Sequence, residues 1–367
     1  MTVGGGPGEA LAIGDLGGWP GVLSKLAARV DLTTVEAAVA LGDVLEGNAT
    51  PAQVAAFVFG LRCKGETVEE MSGLVSAMLA ASERVAVPPD VAERLVDTCG
   101  TGGDRSGTIN ISTLAALVVA GAGVPVCKHG GRAASSKAGS ADLLEELGVV
   151  IDLGPDGVAR CIEEAGIGFC FAPRFHPAMR HATPVRRELG VPTAFNFLGP
   201  LANPARVRRQ VVGVGDPAMA QKMARVLAAG GAVEVMVVHG ADGLDELSTT
   251  GPSTMYRWRA EDGLDPDEEI KPEVINPVAL GLAPADLGDL LGDDAETNAA
   301  LARRVLSGEK GAHRDIVLLN AAAGLVVAGV TDDLEGGLAQ ASASLDSGAA
   351  ADRLARLVAV STKLAAG

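Results

Sequence analysis

Leu95-Val96-Asp97-Thr98-Cys99-Gly100-Thr101-Gly102-Gly103-Asp104, followed by Asn110-Ile111-Ser112-Thr113 and an apolar stretch, is the passage on which the fold turns. A short apolar run that delivers the chain into glycines, and then into hydroxyl-bearing residues ahead of a long apolar segment, reads as strand, loop and helix. The same rhythm recurs downstream. Val124–Cys127, Val149–Leu153, Gly168–Ala172 and Val233–Val238 are further short apolar runs separated by helix-length stretches. Strands without strict alternation are expected where helices cover both faces of a sheet, so the spacing predicts an α/β domain with a mostly parallel central sheet. Ligands of such a sheet gather at the carboxyl ends of the strands.

Upstream, from Trp19 to Pro88, the pattern is helical. Thr33-x-x-Glu36, Thr50-Pro51-x-Gln53 and Thr67-x-x-Glu70 read as capping boxes, in which hydroxyl and carboxyl or amide groups satisfy first-turn N–H groups. Val54, Phe57, Val58 and Leu61 fall on one helical face, and Gly65 supplies a stop. The chain therefore divides into a flexible, Gly-rich leader over 1–19, a helical domain over 20–88 joined by helices from about 185–205, and an α/β domain over 89–367. Within the last, Ile316, Leu318, Leu319 and Leu325–Val327 fit buried helices, and the Asp/Glu/Pro run Glu261 to Glu273 fits an exposed excursion.

Composition narrows the function. At 367 residues and 48% hydrophobic the chain can bury enough apolar surface to fold, while 3% aromatic content and a formal charge of -16 disfavour nucleic acid. Cys63, Cys99, Cys127, Cys161 and Cys170 show no C-x-x-C spacing, and the N-terminus has no basic n-region, so reduced thiols and a cytoplasmic location are expected. Ser106 to Cys127 carries no charge over 22 residues, but Asn110, Ser112, Thr113 and Pro125 suit a soluble core better than a membrane span.

Three loops carry chemistry. The glycines from Gly100 to Gly103 let backbone N–H groups converge, and the helix near Ser112 adds donors and a partial positive pole, an arrangement suited to phosphate or diphosphate. Thr108, Ser112 and Thr113 add hydroxyls; neither a dinucleotide fingerprint nor a Walker loop is present. The second loop, Lys128-His129-Gly130-Gly131-Arg132-Ala133-Ala134-Ser135-Ser136-Lys137-Ala138-Gly139-Ser140, is polar and cationic. Residues 128–209 hold 11 Lys/Arg against 8 Asp/Glu, a local +3 in a chain whose remainder is -19. The third, Val237-Val238-His239-Gly240-Ala241-Asp242-Gly243-Leu244-Asp245-Glu246, presents adjacent hard oxygen ligands that suggest Mg²⁺, while His239 lacks zinc-type companions and reads as structural.

Taken in order, Gly100-Thr-Gly-Gly-Asp104, Asn110-x-Ser112-Thr113, Lys128-His129-Gly130-x-Arg132 and Asp245-Glu246 resemble the motifs of the anthranilate phosphoribosyltransferase family. The resemblance continues through Arg186-Arg187-Glu188-Leu189-Gly190, Phe195-Asn196-x-x-Gly199-Pro200-Leu201-x-Asn203-Pro204 and Arg314-Asp315-x-Val317-x-Leu319-Asn320-Ala321-Ala322. It implies a homodimeric enzyme that joins anthranilate to C1′ of 5-phosphoribosyl-1-diphosphate with Mg²⁺, releasing diphosphate in tryptophan biosynthesis. It assigns the donor to Gly100, Gly103, Asp104, Thr108, Asn110, Ile111, Ser112, Thr113, Lys128, His129, Gly130, Gly131, Arg132, Ala133, Ala134, Ser135, Ser136 and Ser140. It assigns Mg²⁺ to Ser112, Asp245 and Glu246, and anthranilate to Gly100, Gly131 and Arg186. No covalent nucleophile is implied, and His129 is at most an orienting group. Gly131 departs from the family's Asn at that position. A shifted aromatic acceptor, a nucleoside-phosphorylase relative and a non-catalytic sensor of the donor are the competing readings.

Overall fold

The computed structural model describes residues 11–133, 137–266 and 268–366. Two units emerge, one running to Ser82 and including His176–Leu198, the other comprising Glu83–Phe175 and Gly199 onward.

The first unit is helical. Gly18–Ala27, Thr34–Leu45, Pro51–Lys64 and Val68–Ala80 are its main helices, and Thr33, Thr50 and Thr67 each close the capping box read from the sequence. Such a cap contributes about 1 kcal/mol by satisfying amides that the helix itself cannot. Glu70 extends this role: wholly buried, it accepts from the amides of Thr67 and Leu32, both at 2.9 Å, and pairs with Lys64 at 2.9 Å. A Cβ on Gly73 would lie 2.2 Å from the Thr34 carbonyl oxygen, so glycine permits the close crossing of the second and fourth helices. Part of the expected leader belongs to this unit. Ile13–Leu16 is a 3₁₀ turn, and Trp19 is buried, donating from Nε1 to Asp43 at 2.8 Å; Met1–Ala10 lie outside the described residues.

The second unit is built on seven strands: β1 (Val96–Gly100), β2 (Val126–Gly130), β3 (Ile167–Phe171), β4 (Arg209–Gly213), β5 (Glu234–Gly240), β6 (Ser253–Arg259) and β7 (Pro272–Ile275). Their order is β3-β2-β1-β4-β5-β6-β7, parallel through β5 and antiparallel beyond it. The order reverses between β1 and β4, paired from Val96↔Arg209 to Gly100↔Gly213, and such a switch point opens a crevice at the carboxyl ends. Helices Ile111–Gly121 and Ala312–Val327 are buried along nearly their whole length, which explains the uncharged run that could have suggested a membrane. Among the described residues no helix is long and apolar enough to cross one.

Val149–Leu153 is not a strand. Its apolar side chains Val149, Ile151 and Leu153 are buried, but the Val150 amide donates to Ser361 Oγ at 3.1 Å. That amide is satisfied without a neighbouring strand, so apolar character alone did not place the segment in the sheet.

Candidate active site

The crevice at the switch point is a cavity of about 250 Å³ lined by three turns, from Cys99 to Ser112, from Lys128 to Ala133 with Ala138–Ser140, and at Asp245–Glu246. These leave the carboxyl ends of β1, β2 and β5 respectively. The third is shaped by Asp242, whose Oδ1 accepts from the Leu244 amide at 3.1 Å and whose Oδ2 accepts from Ser248 Oγ at 2.6 Å. Asn320 holds its far side through a two-way bond with Leu247, accepting from the amide at 2.9 Å and donating to the carbonyl at 2.8 Å.

The carboxylates of the third turn tie the cavity together. Asp245 Oδ2 accepts from the Gly102 amide at 2.7 Å, and Glu246 Oε1 accepts from the Ser112 amide at 3.2 Å. This changes the anion-nest reading. The first-turn amides of Ile111, Ser112 and Thr113 are all taken, by Ile109 O, Glu246 and Asn110 O, so the helix start is not an open set of donors.

Lys128 is the cation at the centre. It is 2% exposed, donating from Nζ to Thr98 O at 2.6 Å and to Ser112 Oγ at 3.1 Å. Its strand is set by Asp97, fully buried, which accepts from the His129 amide at 3.2 Å and from Asn203 Nδ2 at 2.8 Å. Burial pushes the Asp97 carboxyl up, and Lys128 opposes that shift. Burial, and then the neighbouring Asp104 carboxylate, push Asp245 up to about 7; burial and Asp245 push Glu246 up as well. Two adjacent acidic groups held out of water, with Lys128 opposing the shift at Glu246, favour a further cation beside them.

The donor set fits Mg²⁺. Asp245, Glu246 and the Ser112 hydroxyl are hard oxygen donors, and among the described residues no three His, Cys, Asp or Glu side chains converge as metal ligands. A site with so few protein ligands suits an ion that keeps waters and takes phosphate oxygens from a substrate.

Other expected site residues are placed as follows. Gly100, Gly103, Asp104, Thr108, Asn110 and Ile111 line the cavity beside Ser112, and His129, Gly130, Gly131, Arg132, Ala133 and Ser140 line it beside Lys128. Thr113 does not: it is buried behind the wall and donates to Ser140 Oγ at 3.0 Å. As the third residue of the helix Ile111–Gly121 it faces the core, so it braces a lining residue instead of being one. Arg132 also differs from a free cation, forming ion pairs with Asp142 at 2.7 Å and Glu145 at 2.6 Å while lying 5.5 Å from the Phe171 ring centre. Lys137 pairs with Asp293. Arg132 and Lys137 are thus paired with carboxylates, Asp142 and Glu145 from within the counted stretch and Asp293 from far outside it. Ala134, Ser135 and Ser136 lie outside the described residues.

His129 Nδ1 lies 3.0 Å from Gly199 O, and a carbonyl only accepts, so Nδ1 carries the hydrogen. His239 likewise donates from Nδ1 to Val214 O at 2.8 Å, in keeping with a structural role. In the helical unit Arg186 stacks 5.5 Å from the Phe195 ring centre, and burial lowers its pKa.

Sequence reasoning passed over Gly213, whose Cβ would lie 1.5 Å from Asp245 O. A glycine ending a valine-rich strand is itself a sign of close backbone approach and could have been noticed.

Residues 92–351 match the glycosyl transferase family a/b domain, and residues 20–82 match the helical bundle domain of the same family. The chain is 52% identical over 347 residues to the anthranilate phosphoribosyltransferase of Salinispora arenicola, covering 93% of this chain and 96% of that one. The crystal structure of the Thermus thermophilus enzyme superposes with a TM-score of 0.85 at 43% identity, covering 93% of this chain and 99% of that one. The Saccharomyces cerevisiae enzyme in complex with PRPP and Mg gives 0.82 at 28% identity, covering 94% and 98%. The same yeast enzyme has been solved with 4-fluoroanthranilate. With both domain types matched in order and the identity sustained over nearly the whole length, the chain belongs to the anthranilate phosphoribosyltransferase family.

Proposed function

We propose that this chain transfers the phosphoribosyl group of 5-phosphoribosyl-1-diphosphate to the amine of anthranilate, giving N-(5-phosphoribosyl)anthranilate and diphosphate in tryptophan biosynthesis. The observation that carries this reading is the meeting of three turns on one cavity, fastened by Asp245 to Gly102 and by Glu246 to Ser112. In the reaction the bond from C1′ to the diphosphate oxygen breaks, the bond from the amine nitrogen to C1′ forms, and the amine releases a proton. No covalent nucleophile is needed.

The turn from Gly100 to Ser112 and the turn from Lys128 to Ser140 hold the donor, and Lys128 supplies positive charge where diphosphate leaves. Asp245, Glu246 and Ser112 hold Mg²⁺, which neutralises leaving-group charge when bound. Thr113 acts through Ser140, and His129 orients. The helical domain is the unit that runs to Ser82 and includes His176–Leu198, and the α/β domain is Glu83–Phe175 with Gly199 onward. The enzyme works in the cytoplasm as a homodimer. Free thiols at all five cysteines support the first of these, and the half-exposed Val35 and Phe59 on the helical unit support the second.

Arg186 grips the anthranilate carboxylate, a role suited to a partly desolvated guanidinium stacked on a ring. Arg186→Ala is expected to raise the anthranilate KM about thirtyfold while leaving the donor KM within about twofold. Equal rises in both would contradict the assignment.

Gly131 favours a variation on this reading, a related transferase with a shifted aromatic acceptor. Among the described residues a Cβ there would meet only Ala172 Cβ, at 3.9 Å, so these residues leave room for a side chain where none is supplied. Gly131→Asn should fold normally and lower the anthranilate KM about tenfold, the worth of one recovered hydrogen bond. Unchanged kinetics would show that the missing amide has no bearing on the acceptor.

The test of the function is loss of anthranilate fluorescence on mixing enzyme, 5-phosphoribosyl-1-diphosphate, Mg²⁺ and anthranilate, beside a panel of aromatic amines. Turnover of anthranilate is expected. Donor binding without turnover of any amine would indicate a sensor, and Mg²⁺-independent phosphorolysis of a nucleoside would indicate a phosphorylase.

A further inference from the structure

We infer that Asn298, on the helix Ala295–Leu306, is a positioning residue for the phosphoribosyl-diphosphate site, acting by fixing which way the Asn110 amide faces. Asn298 is 3% exposed and is held in a relay of directed hydrogen bonds. The Asp293 amide donates to Asn298 Oδ1 at 2.8 Å, Asn298 Nδ2 donates to Asn110 Oδ1 at 3.0 Å, and Asn110 Nδ2 donates to Ala138 O at 3.1 Å.

The polarity of the relay is determined from both ends. A backbone N–H can only donate and a carbonyl can only accept, so neither amide can flip without setting like groups against each other. Asn110 is thereby locked with its oxygen toward Asn298 and its NH₂ toward the cavity-lining Ala138, which leaves a second Nδ2 hydrogen to offer a ligand. Asn110 also occupies the N-cap of Ile111–Gly121 yet makes no capping bond with its side chain. An Asn at that position usually accepts from the first-turn amides. Here the amides have other acceptors, so the side chain is free for the relay.

The surroundings are fitted to Asn298. A Cβ on Gly292 would lie 2.2 Å from its Oδ1, so glycine is needed for the approach. The same segment runs along the donor turn, with the Gly292 amide donating to Gly107 O at 2.8 Å and the Ile109 amide to Leu290 O at 3.0 Å. The segment is thus tied to the donor turn through backbone, and the Asn298 side chain ties the helix to both.

This inference rests on the reading of Asn110 as a donor ligand, and the test separates the two. Initial rates against each substrate, with thermal melts, are measured for Asn110→Ala, Asn298→Ala, Asn298→Asp and the double variant Asn110→Ala/Asn298→Ala. Asn298→Ala is expected to raise the donor KM about tenfold, with kcat and the anthranilate KM within about twofold. Asn298→Asp keeps the size and the bond to the Asp293 amide but sets oxygen against Asn110 Oδ1, so its donor KM should rise at least as much. The double variant should be no worse than Asn110→Ala alone, because the relay acts through that residue. Wild-type donor KM in Asn298→Asp, equal rises in both substrates' KM, or additive effects in the double variant would overturn the inference. An unchanged donor KM in Asn110→Ala would overturn the donor assignment itself, and the relay role with it.

Discussion

Gly213→Ala is expected to lower kcat/KM for 5-phosphoribosyl-1-diphosphate at least about a hundredfold, although residue 213 offers no side chain to any substrate. A Cβ at this position would lie 1.5 Å from the Asp245 carbonyl oxygen, 2.3 Å from its carbon and 3.2 Å from the Glu246 amide nitrogen. These are backbone atoms and cannot swing aside. Either the end of β4 or the turn bearing both carboxylates must move, and the bonds to Gly102 and Ser112 go with it. Overpacking of this kind costs about 3 kcal/mol, which corresponds to a hundredfold or more in rate when it falls on the catalytic geometry. Gly42→Ala is the control: it lies in the helix Thr34–Leu45 with nothing among the described residues of the neighbouring elements within 4 Å of its added Cβ, and activity should be unchanged. Wild-type kinetics in Gly213→Ala would mean that the position of the third turn does not matter.

Asp245→Asn is expected to separate activity from stability. The amide oxygen can still accept from Gly102, but the charge is gone, so the Mg²⁺ concentration for half-maximal rate should rise more than about tenfold and kcat/KM should fall about a hundredfold. In metal-free protein the same change should raise the melting temperature. Burial, and then the Asp104 carboxylate, push the folded carboxyl up to about 7, so between roughly pH 4 and 7 the native state holds a proton that the unfolded chain has lost. Native stability at this site is therefore complete below the unfolded value and is lost as pH rises through 7. The advantage of Asp245→Asn should be greatest near pH 8, on the order of one to three degrees, and should vanish near pH 4. A lower melting temperature at pH 8 together with unaltered Mg²⁺ dependence would show that the carboxylate is a structural group.

Much of this architecture is legible in the letters because it is local. Thr33 and Glu36, or Thr50 and Gln53, lie three residues apart and declare a helix start without reference to the rest of the chain. The glycines after Cys99 announce a strand end in the same way, whereas the stretch read as a loop from Lys128 is still strand as far as Gly130; both fall on the cavity. What was hidden is long-range. Arg132 and Lys137 read as open cations because Glu145 and Asp293 are brought to them only by folding. The amides at the start of the helix Ile111–Gly121 read as phosphate donors because nothing nearby in sequence shows Glu246 arriving to take one of them. Asn298 is one of several polar residues in its helix, beside Glu296 and Thr297, and its meaning comes from Asn110, far earlier in the chain.

A crystal structure of the enzyme soaked with 5-phosphoribosyl-1-diphosphate and Mg²⁺ tests the central claim most directly. Density for the doubly phosphorylated sugar is expected inside the cavity, touching the Gly100–Ser112 and Lys128–Ala133 turns, with the metal ion beside Asp245 or Glu246. Donor and metal bound elsewhere on the molecule, with this crevice filled only by solvent at saturating ligand, would contradict it.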